Sequence, residues 1–155
     1  MITSLDTNIA FDLHGTIDSN PEEFKEVMKK ILQSGKMVYV ISGSPVMEIE
    51  DELNKLTIEK GIHYNDSFSI VNFVGEELKS PIWINLNKNT KKLNWFCDDI
   101  LWDSAKSLIC QKYDIHVLFD DSLKYSAFFG PIHKTQFIHF SGDFSLIREN
   151  FPNFY

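Results

Sequence analysis

Only two cysteines, Cys97 and Cys110, occur among the 155 residues. They form no C-x-x-C pair and no zinc-ligand spacing, so neither a redox dithiol nor a cysteine-built zinc site is expected. What remains is a pair of core or half-buried thiols. An excess of cations is also lacking. Fifteen Lys and Arg face 22 Asp and Glu, for a net charge of −7. Nucleic acid is thereby disfavoured as a general partner, as is an anionic membrane surface, although a local basic patch is compatible with this balance. No apolar run approaches the roughly 20 residues of a membrane helix. The N-terminal MITSLDTN has no basic segment followed by an apolar one, so no leader is expected. Internal repeats, low-complexity segments and linkers are absent. The expectation is one soluble, cytoplasmic domain over residues 1–155, with 43% hydrophobic residues to fill its core.

What is present alternates. NIAFDL (8–13), MVYVIS (37–42), IHVLFD (115–120) and QFIHFS (136–141) are short, continuous and rich in β-branched or aromatic residues. Such runs fit strands covered on both faces, as in a parallel sheet. Between them, Ser19 or Asn20 can cap a helix that opens on Pro21. It carries Phe24, Val27, Met28, Ile31 and Leu32 at helical spacing and closes at Gly35. A second helix is expected from about Pro45, with Ile49, Leu53 and Leu56 on one face and Gly61 as its stop. A third is expected from about Leu101 to Lys112, with Ala105, Leu108 and Ile109 inward. The fold class is therefore α/β: a Rossmann-like parallel sheet with helices on both faces. Residues 62–100 leave room for a small insertion. There FSIVNFV fits a short strand or an apolar helical turn, and NLNKNTKKLNW fits a solvated loop or a mobile rim beside a site.

In open α/β sheets, ligands bind at the carboxyl ends of the strands. Asp12 ends the first run, in AFDLHGTIDS. Ser42 and Gly43 end the second, and Asp120 and Asp121 end the third. Lys106 lies on the helix that feeds that third strand. Taken singly, each has an ordinary explanation. An Asp at a strand end caps a turn, a Ser-Gly pair starts a loop, and a Lys in an apolar helix snorkels to solvent. The Asp-Asp pair is less ordinary, because adjacent like charges repel unless a cation intervenes. His63, His116, His133 and His139 are scattered without zinc spacing.

With these residues in this order, the sequence resembles the haloacid dehalogenase superfamily of phosphotransferases over roughly residues 8–125. DLHGT stands where that family has Asp-x-Asp-Gly-Thr. Ser42 stands for the Ser or Thr of its second motif, Lys106 for the Lys of its third and Asp120–Asp121 for the acidic pair of its fourth. The resemblance implies a magnesium-dependent phosphatase. Asp12 would be the nucleophile that forms an aspartyl-phosphate. Ser42, Gly43 and Lys106 would hold the phosphoryl group. Asp12, the backbone carbonyl of His14 and Asp121 would ligate Mg2+, with Asp120 in or near that shell.

His14 departs from the pattern, which has Asp there as the proton donor to the leaving group. An imidazole can give and take a proton near neutrality. Competent His catalysis, a slowed phosphoenzyme and a phosphate-binding module without turnover all remain open. About 23 residues separate Thr16 from Val40, enough for one helix and part of a strand, so no cap follows the first motif. The resemblance then implies an open site that serves a bulky substrate or is closed by a second subunit in a homo-oligomer. Trp83, Trp95, Phe96 and Trp102 are either core filling or a stacking wall for a nucleobase. The partner expected is a phosphorylated small molecule or a nucleotide, with a terminally phosphorylated polynucleotide also compatible with the aromatic wall.

Overall fold

The computed structural model describes residues 7–152. The leader reading of MITSLDTN and the outer ends of the 1–155 domain lie outside these residues. The chain runs β1 (Asn8–Asp12), α1 (Pro21–Gln33), β2 (Met37–Ser42), α2 (Val46–Lys55), β3 (Asp66–Ser69), α3 (Ile70–Asn72), β4 (Trp83–Leu86), β5 (Leu93–Phe96), α4 (Asp99–Lys112), β6 (Val117–Asp120), β7 (Gln136–His139) and α5 (Ser145–Asn150). Five strands form one sheet in the order β3-β2-β1-β6-β7, and all four pairings in it are parallel. This is the Rossmann-like α/β architecture expected. β1 lies at its centre, between the strands that end at Ser42 and Asp120. Among the described residues no helix is long and apolar enough to cross a membrane.

Strand alternation decides which face each β1 residue serves. Ile9 and Phe11 join Val38, Val40, Val117 and Phe119 in a core closed by α1, α2 and α5. Ala10 and Leu118 face the other way and pack on Ile109 and Cys110 of α4. By the same parity Asp12 follows Ala10, and Asp120 follows Leu118, onto the α4 side. The period that builds the core thus also delivers two carboxylates to one helix.

α1 begins with Asn20 as N-cap and Pro21 in its first turn. Gly35 follows it with φ +94°, a left-handed position that glycine takes without strain. α2 ends earlier than expected. It stops at Lys55, and Thr57 takes the left-handed conformation (φ +58°). Gly61 serves a separate turn, donating its N–H to Tyr64 O at 2.8 Å. In α4 Leu108 is only partly buried. The inward positions are held by Ala105, Lys106, Ser107, Ile109 and Cys110. Both cysteines are free and buried, and burial pushes the Cys110 thiol up to about 12.

Residues 62–100 hold more structure than the sequence suggested. FSIVNFV is both candidates in succession: β3 runs into α3, whose Ser69 side chain caps Asn72 N, and a wider helical turn follows over Phe73–Glu77. The asparagine- and lysine-rich stretch is not a plain loop. β4 and β5 pair antiparallel as a ribbon, with Trp83 opposite Phe96 and Leu86 opposite Leu93.

Candidate active site

The loop after β1 is built by its own polar side chains. Asp18 Oδ1 accepts the Gly15 N–H at 2.7 Å, Ser19 Oγ donates to Thr16 O at 2.6 Å, and the Asp18 N–H reaches back to Leu13 O. Gly15 sits at φ +82°. A Cβ there would stand 2.1 Å from Asp121 Oδ2, so only glycine lets that carboxylate settle against the loop. Gly43 makes a second close approach, since a Cβ on it would lie 2.6 Å from Trp102 Cζ2. The Trp102 indole donates to Tyr125 OH at 3.0 Å.

One cleft of about 370 Å³ opens at the carboxyl edge of the sheet. Its lining includes all seven residues singled out from the sequence: Asp12, His14, Ser42, Gly43, Lys106, Asp120 and Asp121. Ser42 is buried, whereas His14 and Asp121 are exposed. Lys106 does not snorkel. It is 2% exposed, and its ammonium donates to Asp12 Oδ1 at 2.8 Å and Asp120 Oδ2 at 2.5 Å. Its Nζ also lies 4.4 Å from the centre of the Tyr125 ring. The other Asp120 oxygen accepts the Ser122 N–H at 2.9 Å.

Charge balance explains the electrostatics of this cluster. Burial pushes the Asp12 carboxyl up to about 7, and the neighbouring Asp120 charge adds to the rise while Lys106 opposes it. Burial pulls Lys106 down, but the charges of Asp12 and Asp120 more than offset that and hold it raised. The two directions are consistent, because one buried cation cannot neutralise two buried carboxylates. With Asp121 counted, full ionisation leaves two negative charges unmatched. Carboxylate oxygens of Asp12, Asp120 and Asp121 all lie within 4.8 Å of one another. A hard divalent cation suits this all-oxygen donor set and its charge surplus.

A pH dependence follows from Asp12. The folded carboxyl holds its proton more tightly than the unfolded one, which titrates near 3.9. Stability from this group is therefore complete below about pH 4 and is lost as pH rises through about 7. In the absence of divalent cations, melting temperature should fall across that window, and Asp12→Asn should flatten the fall. An equal slope in both proteins would contradict the assignment.

Some site residues were missed. His14 sits between two carboxylates, Asp18 at 3.3 Å from Nδ1 and Glu52 at 3.0 Å from Nε2. His139 Nε2 lies 3.0 Å from Asp121 O and steadies that residue's backbone. Trp95 and Trp102 both line the cleft, whereas Trp83 and Phe96 are exposed. The Trp95 indole N–H is buried with no acceptor among the described residues.

No protein-family model matches the chain, and no curated protein or solved structure matches it. Fold and cleft together define an α/β protein with a carboxylate–lysine cluster at the carboxyl edge of a parallel sheet.

Proposed function

We propose that the protein is a magnesium-dependent phosphohydrolase that cleaves a phosphate monoester through an aspartyl-phosphate on Asp12. The observation that carries this reading is the buried Lys106 bridging Asp12 and Asp120 at the ends of adjacent strands, with Asp121 and Ser42 in the same cleft. It agrees with the resemblance of the sequence motifs to the haloacid dehalogenase superfamily.

An Asp12 carboxylate oxygen attacks phosphorus, and the bond from phosphorus to the leaving oxygen breaks. The leaving oxygen takes a proton from the His14 imidazolium, and His14 regains one from the water that attacks next. Water then attacks the phosphorus of the phosphoenzyme, releasing inorganic phosphate and restoring Asp12. Lys106 and Ser42 hold the phosphoryl oxygens, the first as a point charge and the second by a hydrogen bond. The missing Cβ of Gly43 keeps Trp102 close against the cleft wall. Asp12, Asp121 and the His14 carbonyl would hold Mg2+, with Asp120 within reach though already bonded to Lys106. The cation supplies charge neutralisation at the phosphoryl group. Trp95 and Trp102 favour a nucleotide as the substrate class, since flat apolar walls bind a base by stacking. Two free thiols fit a reducing cytoplasm.

One observation favours a second reading. Both ring nitrogens of His14 face carboxylates, so proton donation requires one of those contacts to open. A protein in which neither opens is a phosphate-binding module without turnover. Hydrolysis of an alkyl phosphate, whose leaving oxygen needs the proton, with and without magnesium separates the two. Wild type should turn over only with magnesium, and Asp12→Asn should not turn over at all. Asp121→Ala should lose the magnesium response and melt higher without metal, because a like charge is removed. A thermal shift with inorganic phosphate but no turnover would select the second reading. Neither turnover nor phosphate binding would overturn both.

A further inference from the structure

The β4–β5 ribbon differs in charge from the molecule that carries it. Residues 83–96 hold Lys88, Lys91 and Lys92 and no acidic residue, on a chain of net charge −7. All three lysines are exposed, and none pairs with a carboxylate among the described residues. The ribbon also has two unlike faces. Strand alternation places Ile84, Leu86, Leu93 and Trp95 on one. On the other, Trp83 stands opposite Phe96 and Asn85 opposite Asn94. The Asn87 N–H bonds Lys92 O at 2.8 Å, which carries the same face on to the lysine tip. Trp83 and Phe96 are 57% and 49% exposed.

Aromatic rings and side-chain amides on one exposed face, running on to a lysine tip, are the chemistry that binds single-stranded nucleic acid. Bases stack on the rings, phosphates meet the lysines, and amides contact base edges. Of the Trp83–Phe96 face, Asn94 reaches the cleft beside Asp12 and Lys106, whose lining it shares with Leu93 and Trp95 of the opposite face. We propose that the Trp83–Phe96 face and the lysine tip dock a single-stranded polynucleotide whose terminal phosphate enters the Asp12 cleft. The cleft half of this statement rests on the phosphohydrolase reading above.

Fluorescence anisotropy with labelled 5′-phosphorylated oligo(dT) at about 50 mM salt tests it. Trp83→Ala and Phe96→Ala should each weaken binding about 5- to 150-fold, the scale of one lost base stack. Trp83→Phe should retain binding, which separates a stacking role from a structural one. Changing Lys88, Lys91 and Lys92 together to Gln should lower the slope of log K against log salt by about 2, at roughly 0.7 per phosphate contact. Nitrophenyl phosphate hydrolysis should be unchanged in all of these variants. No binding by wild type, or binding that the variants do not weaken, would overturn the proposal. So would variants that turn an associated protein into monomers by sedimentation while oligonucleotide binding persists; the ribbon would then join copies of the chain. Oligonucleotide binding without nitrophenyl hydrolysis would remove the catalytic reading and leave the docking surface standing. Hydrolysis without oligonucleotide binding would do the reverse.

Discussion

Lys106→Met should destabilise the protein by about 3–5 kcal/mol at neutral pH, the usual loss when one partner of a buried ion pair is removed. The methionine fills much the same volume, so packing accounts for little of it. What remains is electrostatic. Asp12 and Asp120 would stay 6% and 0% exposed with no ammonium between them. Protonation is their remaining route to neutrality, so the loss should shrink as pH falls below about 7, where the Asp12 carboxyl already takes up its proton. Adding Asp12→Asn to Lys106→Met should recover part of the stability, and the double-mutant cycle should show strong coupling. Denaturant unfolding at two pH values measures all of this. A loss under 1 kcal/mol at pH 7 would mean that Lys106 reaches solvent and that the cluster is not the buried triad described here.

The same cluster shows what a sequence reading can reach. Asp12, Ser42 and Asp120 were legible because each ends a run too apolar to be anything but a buried strand, and parallel strands place their ends on one edge. The burial of Lys106 was not legible. It depends on carboxylates 94 and 14 residues away, and a lone lysine in a helix ordinarily snorkels. Asp18 could have been read, since an Asp three residues after Gly15 is a side-chain turn acceptor. Glu52 could not, because it sits among other acidic residues on the polar side of α2 and only the fold brings it to His14.

The errors have physical causes as well. Ile115 looked like a strand start because it is apolar, and it is buried. β6 nevertheless begins at Val117: the Ile115 N–H turns back to Cys110 O of α4, and only from His116, which bonds Asn8 O of β1, does the chain join the sheet. The end of α2 was misplaced because Gly61 was read as its stop, whereas Thr57 took the left-handed turn without a glycine. The β4–β5 ribbon was missed for a different reason. Neither of its faces is fully buried, so it lacks the apolar–polar alternation that marks a half-buried strand. α5 is six residues long and shows no periodicity of its own, although Phe144, Ile147 and Phe151 close the core beside it.

His14 carries the last prediction, and its magnitude depends on the leaving group. As general acid, His14 protonates the oxygen that departs from phosphorus. His14→Ala should then lose about 10²- to 10⁴-fold in rate with an alkyl phosphate. It should lose far less with nitrophenyl phosphate, whose leaving group needs little protonation. The structure adds a constraint absent from the sequence, because Glu52 and Asp18 hold the two ring nitrogens. Glu52→Gln removes one ionic hold while keeping the shape of the side chain. If the Glu52 contact must open before proton transfer, this change should raise the rate with the alkyl ester and leave the nitrophenyl rate alone. His14→Asp should retain or raise activity, since a carboxylate also gives and takes a proton from that position. Equal losses with both esters in His14→Ala would assign the imidazole to positioning the loop against Glu52. An inactive wild type beside an active His14→Asp would identify a phosphate-binding module whose turnover is blocked at this one residue.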